Sequence, residues 1–305
     1  MRIVFFGSGS FGLPTLARLL KSHEVALVVS QPDRPAGRGR KVEPTAVAAF
    51  AADRGLPLLT TDDVNSAEAR GSITAAAASA FVVIAFGQKL GPDLFQRAFA
   101  INLHASLLPK YRGAAPINWA MINGETHTGA TVFRLSERMD AGDILGSAQT
   151  VIDPLETAGE LHDRLAEIGA RLVIEVLDKR EAGTLTPVAQ NEGLASRAPK
   201  LTKALGRIDF DQPAPAVRAR VHGLTPWPGC FVKIDDQTLK LLRVREHRKQ
   251  LDELVPGLVL EDGMVACRWG RLELLSVQPP GGKAMSFAAY CNGHDVKPGA
   301  RLVPA

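Results

Sequence analysis

Between two apolar runs of strand character, residues 81–86 (FVVIAF) and 130–135 (ATVFRL), the sequence gathers polar side chains with distinct chemical abilities. Asn102 and His104 stand two apart, and on an extended segment that spacing directs both side chains to one face. An amide donor and an imidazole can therefore converge on one substrate atom. Asp140 follows the second run, in the polar turn 138–143, from which a carboxylate can reach back to orient the imidazole or accept a proton. The region has no G-x-S-x-G elbow and no cysteine, so a covalent nucleophile is not indicated. The set suits direct group transfer, with charge on a carbonyl oxygen stabilised by the Asn and His donors.

These residues need a scaffold, and the patterning supplies one. Strands are expected at 2–7, 25–30, 56–59, 81–86 and 100–103, alternating with helices at 13–20, 47–54 and 66–78. Further helices are expected at 117–123 and, with Leu161, Leu165, Ile168, Leu172, Val176 and Leu177 on one face, at 157–182. Strand and helix alternating at this spacing indicate an α/β, doubly wound Rossmann-like sheet that binds ligands at the carboxyl ends of its strands. Asn102 and His104 fall at such an end. Residues 7–12 read G-x-G-x-x-G between a strand and a helix, which by itself suits an NAD-dependent oxidoreductase. Asp33, however, lies beyond the second strand in a loop-like run, and no hydride-transfer site follows. The glycines then serve a tight strand-to-helix turn.

The chain has 305 residues, enough for two domains. Hydrophobic content of 46% and charged content of 22% are ordinary for a soluble protein. Cys230, Cys267 and Cys291 form no CxxC or Cys/His cluster, which argues against structural zinc and disulfides and fits a reducing cytoplasm. No segment approaches the ~20 apolar residues of a membrane span, and no secretion signal is expected. The net charge is +4: 22 Lys and Arg against 21 Asp and Glu through Leu205, then 14 against 11 beyond it. The basic excess sits mainly in the C-terminal third.

N-L-H-x-S-L-L-P-x-x-R-G-A-A-P, followed by D-x-G-D, resembles the signature of the folate-dependent formyltransferases that use 10-formyltetrahydrofolate. The resemblance implies that Asn102, His104 and Asp140 are catalytic and that Ser106, Leu107, Leu108 and Pro109 form a folate-contacting turn. It implies a second folate-holding turn at Phe86, Gly87, Gln88 and Leu90, acting through backbone groups. No metal is implied. One departure is Ala105, where Gly is usual; a methyl is tolerated there if φ is negative.

Residues 31–45 (QPDRPAGRGRKVEPT) place Arg34, Arg38, Arg40 and Lys41 among Pro35, Gly37 and Gly39, so a protruding, irregular loop is expected. Arginines on such backbone suit phosphate contacts. The segment resembles the insertion by which family members acting on methionyl-tRNA embrace the acceptor end of the initiator tRNA. Sugar-nucleotide N-formyltransferases share the core signature and lack the insertion. The segment 200–203 (KLTK) resembles the family's connector, which implies tRNA contact by Lys203.

Beyond it, short strands expected at 230–234, 238–246, 258–260, 264–268 and 272–277 suggest a small OB-like β-barrel. Trp227 and Trp269 suit either base stacking or, as is more usual for a Trp beside prolines, the core, and neither is assigned a role; 278–285 resembles the family's C-terminal motif or is loop only. The domains expected are a catalytic one at 1–188, a linker at 189–205 and a tRNA-binding barrel at 206–305. The resemblance implies a cytoplasmic, monomeric enzyme that formylates initiator Met-tRNA, without membrane or obligate protein partner. A sugar-nucleotide formyltransferase, an oxidoreductase and a non-catalytic RNA-binding protein are the competing readings.

Overall fold

The computed structural model describes residues 1–36, 41–247 and 255–305. It forms two compact units: Met1–Gly113, Gly129–Gln149 and His162–Arg197 make one, and Ala114–Thr128, Thr150–Leu161 and Ala198–Ala305 the other.

The first unit is built on a sheet begun by β1 (Arg2–Gly7) and β2 (Glu24–Ser30), joined through α1 (Leu13–Ser22). Two short strands, β3 (Arg34–Ala36) and β4 (Lys41–Glu43), then pair antiparallel. After α2 (Ala46–Asp53) come β5 (Leu58–Thr60), α3 (Ala67–Ala75), β6 (Ala80–Ile84), α4 (Pro92–Phe95) and β7 (Phe99–His104). The short β8 (Arg112–Gly113) and α5 (Pro116–Ile122) precede β9 (His127–Arg134), β10 (Ile144–Val151) and α6 (Ala158–Glu181). Strands β10-β9-β7-β6-β1-β2-β5 lie side by side in that order. β1 pairs parallel with both β2 and β6, and β6 with β7, whereas β9 runs antiparallel to β7. The order reverses at β1, which is the switch point of a doubly wound sheet. β1 and β6 are apolar on both faces because both faces are covered: Ile3, Val4, Phe5, Phe6 and every residue of β6 are buried.

Residues 31–45 differ from the irregular loop expected. Arg34 pairs with Glu43, Pro35 with Val42 and Ala36 with Lys41. A two-stranded edge ladder accommodates Pro35 because a proline there lacks only one donor. Arg38 and Arg40 lie outside the described residues, and Lys41 enters only through its backbone.

Helix α6 opens at a capping box. The Thr157 N–H donates to Glu160 Oε2 at 2.8 Å, and Thr157 Oγ1 stands 3.4 Å from the Glu160 N–H. Burial alone would raise the Glu160 carboxyl, but the Thr157 N–H and the Arg243 guanidinium outweigh it and hold the group at about 2.

The chain passes from the first unit to the second within β11 (Arg197–Ala198), and α7 (Ala214–Gly223) then leads into β12 (Cys230–Ile234), β13 (Gln237–His247), β14 (Val265–Ala266) and β15 (Arg271–Gln278). Helix α8 (Phe287–His294) and β16 (Leu302–Pro304) finish the chain. The strands form an antiparallel, nearly closed barrel in the order β14-β15-β13-β12-β16. The expected strand at 258–260 is instead the closing piece. Leu258 bridges Arg301 beside β16 and Val259 bridges Val265 of β14, so one short segment is pinned to both edges. Strand β12 alternates buried and exposed residues, sending Cys230, Val232 and Ile234 inward with Leu239, Leu241 and Val244. Helix α8 was not expected; Ser286 caps it by accepting from the Ala289 N–H at 3.1 Å. Trp227 and Trp269 are not core residues: they are 52% and 61% exposed, and Arg268 lies over the Trp269 ring.

Candidate active site

The antiparallel ladder of β7 with β9 sets Asn102 opposite Phe133 and His104 opposite Thr131. The parallel ladder sets Asn102 beside Val83, so the turns that follow β6 and β7 emerge next to each other. Asn102 is half-buried, and among the described residues its side-chain amide takes no partner.

His104 is 7% exposed and packs edge-on against Phe133. Its Nε2 stands 2.8 Å from the Tyr111 carbonyl oxygen. A carbonyl only accepts, so Nε2 carries the proton. That leaves Nδ1 facing Asp140 Oδ2 at 4.0 Å, a distance for charge attraction and for one bridging water rather than a direct hydrogen bond. Tyr111 has φ of 62°, a left-handed conformation that points its carbonyl back at the imidazole. The Asp140 carboxylate accepts from the Gly113 N–H at 2.8 Å, and Asp140 itself has φ of 53°.

The structure therefore brings His104 and Asp140 together from segments 36 residues apart, and Asn102 shares the strand face with His104. Ala105, in the position where Gly is usual, is not among the described residues with positive φ, so its methyl brings no strain.

The turn after β7 is held by Thr131, which sequence reasoning passed over as a strand residue. Its hydroxyl donates to the Ser106 carbonyl at 2.7 Å and accepts from the Leu108 N–H at 3.1 Å. Ser106 Oγ donates to the Lys110 carbonyl at 2.6 Å. A fully buried threonine in an apolar strand needs such partners, and that was the available signal. Leu107 and Pro109 are partly accessible on this turn, while Leu108 is buried.

In the turn after β6, the side chains of Phe86 and Leu90 are buried in the core. Gln88 braces its own turn, accepting from the Val64 N–H at 2.8 Å and donating to the Thr61 carbonyl at 2.7 Å. Gly87 has φ of 81°, and a Cβ there would overlap Gln31 Nε2. What this turn offers a ligand is main chain. The glycine motif at 7–12 is likewise turned inward: the Gly9 N–H donates to the Ala85 carbonyl at 3.3 Å and Ser8 Oγ to the Phe86 carbonyl at 3.1 Å. Those groups are spent on the turn after β6 rather than presented to a pyrophosphate.

Residues 190–196, expected in the linker, lie against the site. Gln190 Nε2 donates to the carbonyls of Asp140 at 2.9 Å and Gly142 at 2.7 Å. Arg112 donates to Gln190 Oε1 and forms a bidentate pair with Glu192. Hydrogen bonds from Arg112 and Arg138 hold the Glu192 carboxyl down at about 2. Arg34, in the first unit, and Lys203, in the second, are both exposed.

Among the described residues, no group of three or more His, Cys, Asp or Glu is placed to hold a metal ion. Burial pushes the Cys230 and Cys267 thiols up to about 12, far from nucleophilic use. No described helix is long and apolar enough to cross a membrane.

Comparisons with known proteins give the family. The family model described as "Formyl transferase" matches residues 1–177, and "Formyl transferase, C-terminal domain" matches residues 200–295. The chain is 41% identical over 309 residues to a methionyl-tRNA formyltransferase of Geobacter metallireducens, covering 99% of this chain and 98% of that one. It is 43% identical over 322 residues to the methionyl-tRNA formyltransferase of Heliobacterium modesticaldum, covering 99% and 100%. Among solved structures, HypX from Aquifex aeolicus in complex with tetrahydrofolic acid matches 95% of this chain with a TM-score of 0.65 and 18% identity; the chain spans 47% of that protein. An N-formyltransferase from Helicobacter canadensis, solved with folinic acid and dTDP-3-aminofucose, matches 88% of this chain and 97% of its own, with a TM-score of 0.66 and 15% identity. With both family models matched in order and full-length relatives above 40% identity, the chain belongs to the methionyl-tRNA formyltransferase family of formyl transferases.

Proposed function

We propose that this protein transfers the formyl group of 10-formyltetrahydrofolate to the α-amino group of methionine on initiator tRNA. The observation that carries this reading is the approach of His104 Nδ1 to Asp140 beside an unclaimed Asn102 amide, at the mouth of two adjacent backbone turns. Folate supplies an activated formyl carbon, and the groups here fit it: a glycine turn at Gly87, a part-accessible Leu107 and an unpartnered half-buried amide on Asn102. Asn102 donates to the formyl oxygen as negative charge builds there under attack by the amine. His104, its Nε2–H fixed on Tyr111, becomes the second donor when a proton is also placed on Nδ1, the side that faces the Asp140 carboxylate. Asp140 also receives the amine proton, through a water spanning the gap; as the tetrahedral intermediate collapses, the bond from the formyl carbon to N10 of the folate breaks and N10 takes up that proton, leaving as tetrahydrofolate.

Arg34, Arg38, Arg40, Lys41 and Lys203 are assigned to tRNA phosphates, and the exposed Trp227 and Trp269 to base stacking. The full-length likeness to methionyl-tRNA formyltransferases favours this acceptor over a sugar nucleotide, whose enzymes resemble the chain in fold alone. Asn102→Ala tests the mechanism. Turnover should fall roughly 100- to 1000-fold, as for loss of one oxyanion donor, with folate affinity retained by direct binding. Near-wild-type turnover would exclude the role assigned to Asn102.

A further inference from the structure

We infer that Gln190 is a positioning residue that sets Asp140 for its work on His104, an assignment that rests on the catalytic reading of that pair. Asp140 is in a left-handed conformation, uncommon for a non-glycine residue though more accessible to Asp than to most. It is supported by the Gln190 carboxamide, whose Nε2 donors bracket the residue by binding the carbonyls of Asp140 and Gly142. Its Oε1 accepts from Arg112 Nε at 3.1 Å and Nη2 at 2.7 Å, so the amide cannot rotate to exchange its two ends without losing four hydrogen bonds.

Arg112 closes the circuit. Its side chain is 12% exposed and is held on its far edge by Glu192, while the next residue, Gly113, gives its N–H to the Asp140 carboxylate. The backbone and the carboxylate of Asp140 are thus gripped by one interlocked set of groups. The same segment steadies the other partner: Ser196 Oγ accepts from the Tyr111 N–H at 2.9 Å, and the Tyr111 carbonyl is what His104 binds. Gln190, Glu192 and Ser196 all lie between residues 177 and 200, in the stretch that neither family model spans. The geometry assigns that connecting segment a part in the active site.

The test uses the full-length protein with Met-tRNA as acceptor. Gln190→Met keeps the length and removes the four hydrogen bonds. Its kcat should fall about 10- to 100-fold, the scale of a misplaced catalytic group, with KM for the folate donor little changed and the pH profile of kcat displaced. Gln190→Glu keeps the shape and the bond to Arg112 but turns an oxygen on two carbonyls, so it should be at least as damaging. On an Asp140→Asn background, Gln190→Met should cost almost nothing more.

Wild-type kcat and pH profile in both Gln190 variants would overturn the assignment. So would an equal fold-loss with and without Asp140, which would mark Gln190 as merely structural. If Asp140→Asn is itself silent, the catalytic reading of the pair falls and this assignment with it. If Asp140→Asn is inactive and both Gln190 variants are normal, only the Gln190 assignment falls.

Discussion

His222 has no exposed surface, and its charge state is fixed by its position. The Val244 N–H donates to Nε2 at 3.0 Å, so Nε2 accepts and the neutral ring carries its proton on Nδ1. Burial lowers its pKa from 6.5 to about 4; Arg218 and then Arg243 push the same way, and Glu160 opposes them. In the unfolded chain the ring takes up a proton below about 6.5. Between that value and about 4 the unfolded state binds more protons than the folded one, so stability falls as pH falls through this window and is fully present above it. The contribution is about 3 kcal/mol at full separation of the two states. Equilibrium unfolding at pH 7 and pH 4.5 should therefore give a smaller loss for His222→Asn than for the wild type. An equal loss would mean that His222 is not buried in its neutral form. At this scale the candidate residues stood out because polar Asn102 and His104 interrupt an apolar stretch and Asp140 stands in a polar turn just after another. The Tyr111 carbonyl and the left-handed φ of Asp140 did not, because they belong to the backbone and have no side-chain signature.

Among the elements, the turn between β9 and β10 is closely constrained at Gly142. A Cβ on Gly142 would overlap the carbonyl oxygen of Arg134, whose N–H in turn donates to the Asp143 carbonyl at 2.9 Å. Gly142 is also an acceptor for Gln190. Gly142→Ala must push the turn off the end of β9, and Asp140 goes with it. A loss of about 1–3 kcal/mol in stability is expected, as for overpacking, together with at least a tenfold fall in kcat/KM. A variant with unchanged melting temperature and activity would contradict the placement of this turn. The parallel strands were readable because β1 and β6 are unbroken apolar runs, which only a sheet covered on both faces requires. The closing segment at 258–259 was not: its apolar residues match a strand in composition, but they bridge two edges instead of forming a ladder. The pairing of β3 with β4 was hidden by Pro35, whose presence argued for irregular backbone.

Across the whole molecule, two units carry separate halves of the account. The first holds the turns after β6 and β7 and the His104–Asp140 approach; the second holds a small barrel with two exposed tryptophans. The division follows contacts rather than sequence order: α5, which follows β8 in the chain, packs with α7, the Asn118 amide donating to the Gly223 carbonyl at 2.8 Å. Contiguous patterning in the sequence carries no trace of such an exchange. The central claim is the identity of donor and acceptor. Its direct measurement is formyl transfer from 10-formyltetrahydrofolate by the purified protein, with initiator Met-tRNA, free methionine and a 4-amino sugar nucleotide as parallel acceptors. Formylation confined to Met-tRNA is the result expected. Transfer to the sugar nucleotide alone would leave the site chemistry standing and contradict the acceptor, and no transfer to any of the three would contradict the account as a whole.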